Sequence, residues 1–149
     1  MEPKIVSRPA FTIVGMKYHG KNEQNEIPQM WEAFLPRVGD IQRIVNPGVA
    51  YGVCGNNDEN GEFDYVAGFE VDTVTDVPES MVSWELSEGT YAVFTCTLTG
   101  IREAFHHALY TWLPQSGYRY TGGAMFELYD ENFDPNSDEP EMYIYIPIK

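Results

Sequence analysis

The sequence predicts an α+β fold in which one antiparallel sheet carries two helices on a single face, with a central cleft between them. Three observations lead there. Segments of strand and helix character run in the order strand, helix, strand, strand, and that order occurs twice. The two helical segments end alike: Phe34-Leu35-Pro36-Arg37-Val38-Gly39 and Trp112-Leu113-Pro114-Gln115-Ser116-Gly117 place an aromatic, Leu, Pro and Gly at the same offsets, the mark of an internal repeat. Each helix also has one apolar stripe, which needs a sheet to cover it. The expected arrangement is one domain over residues 1–149, built from pseudo-repeats of about 5–75 and 84–149 around a pseudo-twofold axis. Ligand pockets favour the groove on such an axis.

The first strand is predicted over Ala10 to Tyr18, rich in β-branched and aromatic residues. A polar loop, His19 to Asn25, leads into a helix that starts near Glu26, with Pro28 in its first turn. Ile27, Met30, Trp31, Phe34, Leu35 and Val38 form its apolar stripe; Pro36 breaks or kinks it and Gly39 can stop it. Strands follow at Val49 to Cys54 and Phe63 to Asp72, around a turn that contains the hairpin signal Asn60-Gly61. After a loop at Val77 to Ser80 comes a short strand at Trp84 to Leu86, then a clear one at Thr90 to Leu98. Gly100 opens a second helix with Ile101, Phe105, Ala108, Leu109 and Trp112 on one face, ended by Pro114 and Gly117. The last strands are Ala124 to Tyr129 and Met142 to Ile148, joined by an acidic loop. Gly52 and Gly68 lie inside strands and mark either a bulge, a close backbone approach or room for a ligand.

A chain of 149 residues hides about 70% of its unfolded surface on folding, enough for a real core. With 43% hydrophobic and 14% aromatic residues, disorder is excluded. The 23 acidic against 9 basic side chains give a formal charge of −14. That argues against nucleic acid, whose phosphates need clustered Lys and Arg, and equally against anionic membranes. It favours cationic small molecules. Cys54 and Cys96 stand far apart without metal-ligand spacing and are read as two reduced, buried thiols. The N-terminus lacks a signal-like apolar core and no apolar run nears the ~20 residues of a membrane span. The expectation is a soluble, cytoplasmic protein.

Several segments match a known family in order and spacing. They are Tyr91-Ala92-Val93-Phe94 followed by Gly100, the run Tyr110 to Tyr118 (YTWLPQSGY), Phe126-Glu127-Leu128-Tyr129-Asp130 and Tyr145-Ile146-Pro147-Ile148. The first half matches more loosely, through Pro47, Tyr51-Gly52-Val53 and the Asp64 to Val71 strand. The chain resembles the GyrI-like small-molecule-binding domain, the effector-binding domain of AraC-type and multidrug-responsive bacterial transcription regulators. The resemblance implies a duplicated strand-helix-strand-strand domain that takes amphipathic, often cationic, compounds into an aromatic cleft. A glutamate of the penultimate strand often supplies the negative charge, and Glu127 occupies that place. In regulators this domain follows a helix-turn-helix module, for which no residues are left over here. A stand-alone binding domain without direct DNA contact, with a separate regulator as partner, is therefore expected.

Glu127, in the middle of an apolar strand, shares a face with Met125 and Tyr129. Pattern alone leaves it on the solvent face or in a pocket; the resemblance favours the pocket. There a partly buried carboxylate is costly unless a cation pairs with it, and aromatic walls add cation–π attraction. Trp31, Tyr51, Phe69, Trp84 and Tyr145 are the candidate aromatic contacts, although strand parity is not fixed by sequence. No metal site or cofactor is expected. Asn56, Asp58, Asn60 and Gly61 imitate the opening of an EF-hand, but Ala67 stands where a bidentate Glu is needed. His106 and His107 point about 100° apart, and no zinc-protease, nucleophile-elbow or phosphate-loop motif exists.

Capture of a cationic, lipophilic compound, in drug sensing or transcription regulation, is the favoured function. Catalysis is the second reading: hydrolysis of reactive cyclopropane-type natural products, as in some similar stand-alone proteins, with Glu127 as general base. A gyrase-inhibitor-like protein-interaction role, through the acidic loop, is the third.

Overall fold

A computed structural model describes residues 2–149. All eight strands join one antiparallel sheet in the order β1-β6-β8-β7-β3-β4-β2-β5. They are β1 (Lys4–Arg8), β2 (Phe11–Gly20), β3 (Ala50–Gly55), β4 (Phe63–Val71), β5 (Val82–Leu86), β6 (Gly89–Thr97), β7 (Met125–Tyr129) and β8 (Glu141–Ile148). The α+β fold with two helical segments on one face is as the sequence predicts. No helix among the described residues is long and apolar enough to cross a membrane.

Two differences from the expected strands have a clear physical reason. Lys4–Arg8 is a strand, although its short, charged sequence carries no alternating pattern; it forms by pairing with β6 over five register positions. β2 runs on through His19 to Gly20 because β4 pairs with it to the end, His19 opposite Asp64 and Gly20 opposite Phe63. β1 and β2 are separated only by Pro9 and Ala10, and β5 and β6 only by Ser87 and Glu88. At each break the chain leaves one half of the sheet for the other: β1 borders β6, and β5 borders β2. The strand order therefore reads the same from either edge when β1–β4 are exchanged with β5–β8.

The first helix, α1 (Glu26–Phe34), passes into a 3-10 helix at Leu35–Asp40. Pro36 sits at this switch, where its missing N–H and ring no longer permit the α-helical bond. The expected stop at Gly39 does not occur, since the 3-10 turn continues to Asp40. The second helical segment begins as α2 (Ile101–His106), widens to a π-helix over His107–Trp112 and closes with α3 (Leu113–Ser116). Here Gly117 is the left-handed cap, at φ 83°. The same Leu-Pro-x-x-Gly pattern thus ends in two ways.

Side-chain alternation divides the sheet. On the helix face, Val14, Tyr65, Ala67, Phe69 and Val71 pack under α1 with Phe34, while Ala92, Phe94, Met142, Ile144 and Ile146 pack under the second helical segment with Ala104 and Ala108. On the opposite face Phe11, Ile13, Tyr51, Val53, Tyr91, Phe126 and Leu128 form a third cluster. Phe34, Phe94 and Phe126, one in each cluster, are fully enclosed; burying such a side chain is worth about 1.5–3 kcal/mol. The Arg8 guanidinium lies 3.8 Å above the Phe11 ring, donates to Tyr51 Oη at 2.7 Å and pairs with Glu70 at 3.2 Å. It ties β1 to strands of the other half.

Gly68 is not a bulge. Pairing runs unbroken from Val14–Phe69 through Gly15–Gly68 to Met16–Ala67. A Cβ on Gly68 would lie 2.6 Å from the Val14 carbonyl oxygen, and one on Gly15 would collide with that of Ala67. The glycine pair thus permits a close backbone approach.

Candidate functional site

The middle of the sheet is the β3–β7 pair, where Gly52 lies opposite Glu127. On the far side of β3, Gly52 faces Ala67 of β4. Tyr65 and Tyr129 lie on the same face as Glu127, and the three side chains meet over Gly52. Tyr65 Oη donates to Glu127 Oε1 at 2.8 Å, and Tyr129 Oη donates to the same oxygen at 2.7 Å. Trp31, on α1, donates from Nε1 to Tyr65 Oη at 2.9 Å. Its indole stands edge-on to Tyr129, with ring centroids 5.8 Å apart. A Trp from the first half thus closes over a carboxylate and a Tyr from the second.

The glycine is required. A Cβ at position 52 would collide with the Tyr65 hydroxyl and lie 2.6 Å from Glu127 Oε1. Of the two positions paired on the central axis, one supplies a carboxylate and the other supplies the space it occupies.

Glu127 is half-buried and takes part in none of the ion pairs formed among the described residues. Burial holds its carboxyl above the usual carboxylate range, while the hydrogen bonds from Tyr129 and Tyr65 pull it part of the way back. The same burial raises both phenols, so they stay protonated donors. Oε1 is saturated by two donors. Oε2 makes no hydrogen bond among the described residues, and Glu127 as a residue is not fully enclosed.

The predicted aromatic residues divide between the two faces. Trp31 and Phe69 share the helix face with Glu127. Trp31 touches the network, whereas Phe69 is closed beneath Phe34, at a centroid distance of 6.1 Å. Tyr51, Trp84 and Tyr145 lie on the opposite face: Tyr51 bonds Arg8, Tyr145 stacks on Phe126 at 4.4 Å, and Trp84 borders a cleft of about 440 Å³ lined also by Gly55, Tyr91, Ala124 and Pro147. Sequence reasoning did not single out Tyr65 as a contact. Its signal was present in the alternating Phe63 to Val71 run, where Tyr65 is the one tyrosine, but only the register shows that it reaches Glu127.

Comparison with known proteins agrees with this fold. The family described as Cass2, integron-associated effector binding protein, matches residues 4–148. Transcriptional regulator BrlR of Pseudomonas aeruginosa is 43% identical over 154 residues, covering 99% of this chain and 56% of that protein. The chain thus spans a little over half the length of this curated relative. The solved structure of SAV2435 bound to tetraphenylphosphonium has the same fold, with a TM-score of 0.78 at 19% identity over 100% of this chain and 94% of that one. The integron cassette protein VCH_CASS2 of Vibrio cholerae superposes with a TM-score of 0.67 at 16% identity, over 100% and 97% of the two chains.

Proposed function

The chain belongs to the family of integron-associated effector-binding proteins, and from that premise we propose that it captures lipophilic organic cations at Glu127. One observation carries the reading: a carboxylate walled by Trp31, Tyr65 and Tyr129, with one oxygen fixed, the other free and no protein cation beside it. A cation about 5 Å from a carboxylate gains about 3 kcal/mol at an effective dielectric of about 20. Each aromatic face adds about 0.5–2 kcal/mol. The two phenols hold the carboxylate in place beforehand, so little ordering is needed on binding. Tetraphenylphosphonium, the cation in the SAV2435 complex, has the matching chemistry of one delocalised charge inside an apolar shell. In the cell the captured compound would be sequestered or its presence passed to a transcription regulator, in keeping with the similarity to BrlR.

The test is a titration followed by intrinsic tryptophan fluorescence, with tetraphenylphosphonium and with neutral triphenylphosphine oxide, on the parent and on Glu127→Gln. The parent should prefer the cation, and Glu127→Gln should lose that preference with a fall in cation affinity of at least roughly tenfold. The raised Glu127 carboxyl sets the pH dependence. Below its folded pKa it is protonated and neutral, so cation affinity should fall as the pH drops through that value. Equal binding of both compounds by both proteins would overturn the reading. Hydrolysis is the second reading, favoured by the raised carboxyl and free Oε2 of Glu127. Product release from an electrophilic substrate, abolished in Glu127→Gln, would move the assignment there.

A further inference from the structure

We propose that His19, Asp58 and Glu62 form a surface site for a divalent transition-metal ion of the zinc class, with Asp64 holding the imidazole from behind. The site shares no residue with the Glu127 network. It is built where the end of β2 meets the loop between β3 and β4. Each of the three side chains offers one ligand atom, and these atoms lie within 4.8 Å of one another.

The imidazole is oriented before any ion arrives. His19 and Asp64 are register partners, and His19 Nδ1 lies 2.7 Å from Asp64 Oδ1. The other Asp64 oxygen accepts from Asn56 Nδ2 at 2.9 Å and has Lys17 Nζ at 3.6 Å. With its partners fixed, Asp64 draws the ring proton to Nδ1 and leaves Nε2 as the outward lone pair. A carboxylate behind a histidine is the usual support of a metal-bound imidazole.

Nε2 then faces Glu62 Oε2 at 3.6 Å, outside hydrogen-bond reach. Two ligand atoms about 2.0–2.2 Å from one tetrahedral ion are separated by about 3.4 Å, so the observed gap is the one a shared ion would span. Asp58 is held by its own loop: Oδ1 accepts the backbone N–H groups of Asn60 at 2.8 Å and Glu62 at 3.0 Å, and its other oxygen is unbonded. One nitrogen and two carboxylates suit zinc, cobalt or nickel better than calcium, which takes 6–8 oxygens. Three protein ligands leave at least one position open for water or an external ligand.

The experiment titrates the full chain with Zn²⁺ by calorimetry in a non-chelating buffer, and with Co²⁺ by visible absorption, on the parent, His19→Ala, Glu62→Gln and His106→Ala. His19 is 51% and Glu62 37% exposed, so these variants should keep the parent's circular dichroism. The expected result is one ion per chain with micromolar affinity, weakened at least about tenfold in His19→Ala and in Glu62→Gln and unchanged in His106→Ala. Absence of saturable micromolar binding by the parent overturns the proposal. So does unaltered binding in His19→Ala or Glu62→Gln, or a loss that follows His106→Ala.

Discussion

Gly52→Ala tests whether the central glycine exists to hold the carboxylate network. The added Cβ would strike the Tyr65 hydroxyl, which Trp31 and Glu127 hold from either side, and would lie 2.6 Å from Glu127 Oε1. Overpacking a well-filled site costs about 1–3 kcal/mol. The phenol–carboxylate bond that must stretch is worth about 1.5–3 kcal/mol. Relaxation along one coordinate serves both, so the expected loss is about 2–4 kcal/mol rather than their sum. At about 2–4 °C per kcal/mol for a chain of this size, Tm should fall by roughly 4–16 °C. Thermal unfolding followed by circular dichroism measures it, with tryptophan fluorescence in a Trp84→Phe, Trp112→Phe background, where Trp31 alone emits, reporting the displaced network. Gly39→Ala is the control, because a Cβ there meets nothing within 4 Å; it should stay within roughly 0.5 kcal/mol of the parent. Tyr65→Phe removes one of the colliding atoms, so in the Gly52→Ala background it should cost less than the two separate losses imply. A Gly52→Ala protein that melts with the parent and keeps its fluorescence would refute the reasoning.

Three further outcomes follow from the same structure. Arg8→Met keeps an apolar stem over Phe11 but removes the donors to Tyr51 and Glu70; urea unfolding should show a loss of about 1.5–3 kcal/mol, and a change below roughly 0.5 kcal/mol would mean that Arg8 does not tie the halves together. His19 is held above its ordinary pKa of 6.5, chiefly by its hydrogen bond to Asp64; what this pair adds to stability is fully present below the unfolded value and is lost as pH rises through the folded one, so without added metal the ring titration seen by NMR should move down in Asp64→Asn, and an unmoved midpoint would remove Asp64 as the cause. Burial pushes the Cys96 thiol up to about 11 and raises the Cys54 thiol as well, although Cys54, expected to be buried, is half-buried; neither should react with a disulfide reagent at neutral pH until denaturant is added, and rapid labelling of the folded protein at Cys96 would contradict its enclosure.

Much of this was written locally. Binary pattern and turn chemistry act over a few residues, so the helix starting at Glu26, the strands of both halves and the repeat carried by Phe34-Leu35-Pro36 and Trp112-Leu113-Pro114 were legible in the chain. Glu127 was legible too, since a carboxylate in an apolar strand is conspicuous wherever it points, and alternation already put Tyr129 beside it. Tertiary structure decided what depends on register and on contacts distant in the chain. Pairing with β6 made a strand of Lys4–Arg8, whose own pattern is too weak to call for one. The β3–β4 and β7–β3 registers put Tyr65, Gly52 and Glu127 in one place and sent Tyr51 and Tyr145 to the other face. A slip of one residue would reverse those assignments, because successive side chains of a strand point to opposite faces. Local pattern thus drew attention to Glu127 but left its side of the sheet open, and it was the resemblance that favoured a pocket; the tyrosines bonded to it and the glycine that makes room for it were chosen by strand pairings as far as 79 residues apart, and the tryptophan beside them by the packing of α1.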